Sequence, residues 1–266
     1  MGKHDKVMTI GEHLKDLRRI LVISTMALVV TTCVIYGLFR QDLYNIMISP
    51  LKYYDITMVY IGLTEAFFTQ IKICLLAGFI VSLPIIFWQV WGFVALGLKP
   101  QEKRMIIWIM PLFMLLFLTG SIFAYFVVLK LAVNFLLITA SSDLEPMLSI
   151  SKYVSFVITF VIPFGLTFEL PMVTYFLVRW EMISKKWLTS NRKYAIFTFF
   201  VMSAMLTPGP DVVSQLLMVA PMLFLYEVSI FVARLVEWRR NCKAKPRMLI
   251  NVLHKLTNFK QSIFRA

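Results

Sequence analysis

Phe160-Val-Ile-Pro-Phe-Gly-Leu-Thr-Phe-Glu-Leu-Pro171 places one carboxylate, Glu169, inside an apolar run that extends over 153–178. A helix needs about 20 apolar residues to span hydrocarbon, so this run reads as a membrane crossing. Pro163 and Pro171 each remove a backbone donor, with Gly165 between them, and the crossing is expected to bend or open around the acid. A carboxylate at that depth is costly and normally faces a protein interior, a partner or trapped water.

The rest of the chain has the same character. It has 266 residues, 59% of them hydrophobic, with a mean hydropathy of +0.78. A soluble domain is about half apolar, so the chain reads as an all-α integral membrane protein. Apolar runs fall at approximately 20–39, 66–95, 105–130, 153–178, 194–207 and 213–233, giving six transmembrane helices. Pro84 in the second run predicts tilt or a kink. The fifth run is short and the sixth barely long enough, and Thr207-Pro208-Gly209-Pro210-Asp211 joins them as a hairpin turn. A thinned bilayer or a partner helix beside that hairpin would relieve the mismatch. The first run follows a basic segment, as the core of a signal peptide does. It is longer than such a core, and Arg40-Gln41-Asp42 follows it instead of a small-residue cleavage site, so it reads as a retained span.

The net charge of +13 is spread over short loops and both ends, which argues against a nucleic-acid groove. All but five of the 27 Lys and Arg residues lie before the first span, in the 96–104 and 179–193 loops, or from Arg234 onward. By the positive-inside rule both termini are cytoplasmic, in a cytoplasmic-membrane protein. On the opposite side the longest connection, 40–65, carries Ser49-Pro50-Leu51 and an interfacial group of Tyr53, Tyr54 and Tyr60. The 131–152 loop, with Asp143 and Glu145, is expected to cap that face with a short helix. The chain divides into a membrane domain, 1–237, and a basic tail, 238–266. In the tail Leu249, Leu253, Leu256, Phe259 and Ile263 recur at helical spacing. That spacing suits an amphipathic helix on an anionic leaflet; a frayed charged tail is the alternative.

No hydrolase, metalloprotease or P-loop signature is present, and the reading is not an enzyme. Cys33 and Cys74 lie in apolar spans and Cys242 in the tail, which suits packed or free thiols. His4, His13 and His254 lie outside the spans, so no metal, cofactor or intramembrane histidine relay is expected. What stands out is acid on a basic face. Glu12 and Asp16 lie one turn apart on a lead-in whose Leu14, Leu17 and Leu21 form a stripe, and Glu102 lies in the first cytoplasmic loop. Such carboxylates could grip an arginine-bearing partner through forked hydrogen bonds, or simply pair with Lys15 and Lys103.

From Thr9 to Arg234 the chain resembles the TatC family, the signal-recognition subunit of the twin-arginine protein translocase. The stretches that carry the resemblance are Glu12-His13-Leu14 with Asp16-Leu17-Arg18, Ser49-Pro50-Leu51, Glu65-Ala-Phe-Phe68 with Lys72, and Gln89-Val-Trp91-Gly-Phe93. Further on come Leu98 to Arg104, Ala124-Tyr125-Phe-Val-Val128, Phe168-Glu169-Leu-Pro171, Thr207-Pro208 with Pro210-Asp211, Ser214-Gln215 and Tyr226-Glu227. The resemblance implies a concave six-helix bundle with short helices 5 and 6. It also implies a receptor for twin-arginine signal peptides that assembles with TatA- and TatB-type subunits and with copies of itself. Such a receptor exports folded proteins on the proton-motive force. Asp16 and Glu102 match the carboxylates that meet the arginine pair, Phe93 matches an aromatic of the same surface, and Glu12 and Arg18 flank it. Glu169 matches the intramembrane acid, and Pro50 and Asp211 match sensitive positions of the external loops. Asp16 stands where glutamate is usual, and Leu96 and Lys130 stand where proline is common.

The rival reading is an ion- or proton-coupled transporter with Glu169 as its site. Such proteins usually bring a second ionisable or discontinuous element to the midplane. Here the other acid well inside a span is Glu227, seven residues from Arg234. Glu169 therefore reads as a polar pocket that receives a group from a partner or signal helix.

Overall fold

The computed structural model describes residues 10–51, 58–94, 100–139, 147–206 and 212–263. Its elements are α1 (Ile10–Ile48), β1 (Met58–Val59), α2 (Glu65–Val94), α3 (Pro100–Phe123), a π-helical turn (Ala124–Val128), α4 (Leu129–Thr139), β2 (Leu148–Ser149), α5 (Ile150–Phe168), α6 (Leu170–Arg179), α7 (Lys185–Ser190), α8 (Arg192–Leu206) and α9 (Val212–Ile263). Among the described residues five stretches are long and apolar enough to cross a membrane: 14–48, 65–93, 109–136, 150–179 and 212–240. α8, at 15 residues, supplies the short fifth crossing between the fourth and the last. The third crossing is α3, the π turn and α4 in series, and the fourth is α5 followed by α6.

The expected opening of the fourth crossing is real, and its position is specific. α5 runs through Pro163 to Phe168, and the helix is interrupted at Glu169. Pro171 has no N–H to continue the ladder of α5, so the regular helical hydrogen bonding cannot run through this point. α6 then starts with Pro171 in its first turn, where a missing donor costs nothing. Gly165 has a different purpose from a hinge. A Cβ there would lie 2.6 Å from the Phe117 ring, so glycine is what lets α5 close on α3. α2 passes through Pro84 without interruption.

The chain forms two compact units, 1–166 with 206–214, and 167–205 with 215–266. In the first, the core gathers Met47, Leu51, Ile73, Leu76, Val154 and Val157, and Leu129 and Val133 pack with them. Thr31 donates to the Gly78 carbonyl at 3.1 Å, and Gly78 leaves room for Thr32, bringing α1 and α2 into close contact. The loops at the far end of α1 meet as a two-residue parallel pair, Met58 with Leu148 and Val59 with Ser149. Of the 131–152 loop, 131–139 belong to α4 and 148–149 form β2 ahead of α5; Asp143 and Glu145 lie outside the described residues.

In the second unit Val178, Leu188, Ile230 and Ala233 form a small core. Ser203 donates to the Gln215 carbonyl at 3.0 Å, and the Gln215 amide donates to the Phe200 carbonyl at 3.1 Å, fastening α8 to α9. α9 continues as helix past the 237/238 position to Ile263.

Candidate functional site

One end of the first three helices collects most of the predicted recognition residues. α2 runs antiparallel to α1 through the Thr32–Gly78 contact, and to α3 through Phe79 on Phe117 and Trp91 on Phe113, with ring centroids 6.0 and 4.8 Å apart. That register brings Asp16, in the second turn of α1, level with Phe93 at the end of α2. α3 begins at the same end, with Glu102 in its first turn. Asp16 is half-buried, Arg18 is exposed and Phe93 is half-buried. Glu12 lies in the first turn of α1; its side chain and that of Glu102 are outside the described part of the structure. Beside Asp16 the stripe of Leu14, Leu17 and Leu21 is exposed, at 59%, 42% and 59%. A partly solvated carboxylate beside an apolar stripe can hold a guanidinium and the apolar residues that follow it on one ligand.

Glu169 is a different kind of site. It is 6% exposed, and neither carboxylate oxygen has a hydrogen-bond partner among the described residues. Its backbone carbonyl accepts from Met172 and Val173 at 3.0 and 2.9 Å, so the break in the helix is internally satisfied while the side chain is not. Buried polar groups are otherwise almost always paired, and an exception calls for a reason outside the chain's own packing.

At the opposite end of the first unit the structure shows a cluster to which sequence reasoning gave no role. Glu65 accepts from the N–H groups of Ile61 (2.7 Å), Gly62 (3.2 Å) and Ser151 (3.3 Å), and from the Ser149 hydroxyl. Two turns deeper, Lys72 donates to the hydroxyls of Ser151 and Ser155 at 3.2 and 3.1 Å. Together these tie the start of α2 to the start of α5. The end of α1 is held by tyrosines: the Tyr125 hydroxyl donates to the Ile46 carbonyl at 2.6 Å and the Tyr153 hydroxyl to the Met47 carbonyl at 3.1 Å. Both carbonyls lie in the last turn of α1, where the helix has no donor four residues on; the Ile46 carbonyl also accepts the Ser49 N–H at 3.1 Å. The π turn contains Tyr125, so its extra residue per turn falls where this contact is made. Glu65, Lys72 and Tyr125 all lay in stretches that carried the family resemblance, and that was the signal available for them. Pro50 is half-buried next to Leu51, which is 1% exposed; Asp211 lies outside the described residues.

A family model described as Sec-independent protein translocase protein (TatC) matches residues 12–221. The chain belongs to the TatC family. It is 47% identical over 233 residues to the Sec-independent protein translocase protein TatC of Carboxydothermus hydrogenoformans, covering 88% of this chain and 96% of that one. To the TatC of Aquifex aeolicus it is 39% identical over 237 residues, covering 88% and 98%. A crystal structure described as the twin arginine translocase receptor TatC superposes with a TM-score of 0.78 at 39% identity, covering 85% of this chain and all of that one. The six-span TatC fold and a place in a Sec-independent protein translocase follow. TatC is a family of translocase components and not of catalytic enzymes.

Proposed function

We propose that this TatC chain is the receptor subunit of a twin-arginine translocase in the cytoplasmic membrane, with both termini cytoplasmic. The observation that supports this most is the meeting of Asp16, Phe93 and the α3 start bearing Glu102 at one end of the first three helices, in a chain of this family. Asp16 and Glu102 receive the arginine pair of a signal peptide, with Glu12, Arg18 and Phe93 on the same surface. The exposed stripe at Leu14, Leu17 and Leu21 continues toward the bilayer, where the signal's apolar segment lies. TatA- and TatB-type single-span subunits and further copies of the chain then assemble. Folded cargo crosses on the proton-motive force through a passage that TatA-type subunits make, since six helices are too few to enclose one. The short α8–α9 hairpin suits a docking helix. Glu169 receives a polar group from a signal or partner helix, while Pro50 and Asp211 serve the external loops. The segment 238–266 serves as a basic cytoplasmic tail.

Photocrosslinking with a twin-arginine signal peptide tests the recognition face, with a twin-lysine signal as control. The pair Asp16→Ala and Glu102→Ala is expected to weaken capture by a few kcal/mol at most, because rim ion pairs are partly solvated. Undiminished capture by the double variant refutes the assignment.

A further inference from the structure

The second unit carries, at one end of α8 and α9, a positive surface that its own acids do not neutralise. Three carboxylates lie there, and each is engaged within the unit. Glu227 pairs with Arg192 at 2.8 Å, and Glu181 pairs with Arg240 at 3.0 Å. Glu237 accepts the Lys185 backbone N–H at 2.8 Å, closing the start of α7. Glu181 is held in the left-handed region at φ 62°, and the Tyr226 hydroxyl donates to the Leu188 carbonyl at 2.8 Å, so the 179–193 segment is pinned to α9 at several points. The backbone that carries the remaining positive charge is therefore held against α9. Arg179, Lys185, Lys186, Lys193, Arg234 and Arg239 have no carboxylate partner among the described residues.

The surroundings say what meets this charge. Trp187, Trp238 and Tyr194 are exposed among the cations, at 54%, 63% and 60%. Within about one helical turn of the cations, exposed apolar residues predominate, with Ile196 and Phe197 on α8 and Phe231 and Leu235 on α9, beside Thr198 and the paired Glu227. Indole and phenol rings set between cations and an apolar face mark the headgroup level of a bilayer. An acidic protein partner would account for the cations but not for the rings and the immediate passage into hydrocarbon.

We propose that this α7–α9 surface binds the phosphate groups of anionic phospholipid, with Lys186, Lys193, Arg234 and Arg239 as the contacts. A basic residue near an anionic membrane surface contributes about fivefold in affinity (about 1 kcal/mol), and the effect is screened by salt. The test is native mass spectrometry of the full chain, purified in detergent and mixed at low salt with equal phosphatidylglycerol and phosphatidylcholine. The wild type is expected to retain phosphatidylglycerol preferentially. Arg239→Gln alone should lower that preference about fivefold, and the quadruple change of Lys186, Lys193, Arg234 and Arg239 to Gln should abolish it with helicity retained. If the quadruple variant does not fold, Lys186→Gln and Arg239→Gln singly carry the test. A control pair in the first unit, Lys130→Gln with Lys152→Gln, should leave the preference unchanged. No preference in the wild type, a preference that survives the folded quadruple variant or both single changes, or an equal loss in the control overturns the proposal.

Discussion

Glu65 and Glu169 are both carboxylates in apolar crossings, and the structure treats them in opposite ways. Glu65 sits at the start of α2 and accepts from four donors, three backbone N–H groups and a serine hydroxyl. Glu169 sits at the α5–α6 break, buried, with both oxygens unpartnered among the described residues. A buried polar group without a partner costs about 1–3 kcal/mol, and a charged one more. Glu65 therefore belongs to the architecture, whereas Glu169 stands in its place at the expense of stability. An acid within a membrane span is thus informative only once its donors have been counted.

The largest effect is expected where the most donors are lost. Glu65→Ala should lower the melting midpoint in detergent more than any other single change named here. Glu65→Gln should recover little, because an amide nitrogen cannot accept the donors that face the second oxygen. A midpoint close to wild type in both would remove the architectural half of the contrast. Glu169→Leu, similar in size and apolar, should instead raise stability by about 1–3 kcal/mol while lowering export. A fall in stability would show that the acid is paired after all. Glu169→Gln then divides the functional readings: full export excludes an obligatory proton relay, and failure of both Glu169→Gln and Glu169→Ala restores it. Smallest of all, Tyr125→Phe removes one hydroxyl from the Ile46 carbonyl and should cost about 1 kcal/mol in unfolding experiments. A much larger loss would mean that the π turn depends on that contact.

The sequence made the six crossings legible because an apolar run of bilayer length has few other solutions. It also located the disturbance in the fourth crossing to within a few residues. It did not say which proline acts, because Pro163 and Pro171 are chemically alike and only the helix phase shows that the interruption falls at Glu169. Glu65 and Lys72 were visible as a motif without a role, since their partners Ser149, Ser151 and Ser155 lie 79 to 86 residues away. The proposed recognition residues were legible through family resemblance. Their convergence at one end needed the antiparallel register of α1, α2 and α3.

By itself, the sequence determined the solvent this chain folds in, the number of its crossings and the family to which it belongs. Those properties depend on local composition and on the order of short motifs, which survive without knowledge of contacts. The tertiary structure decided which charged groups are satisfied. Glu65 found its donors and three acids on the α7–α9 surface found theirs, whereas among the described residues Glu169 has no hydrogen-bond partner and six cations of that surface have no carboxylate. Hydrogen bonding acts over about 3 Å, and only packing brings residues far apart in the chain that close.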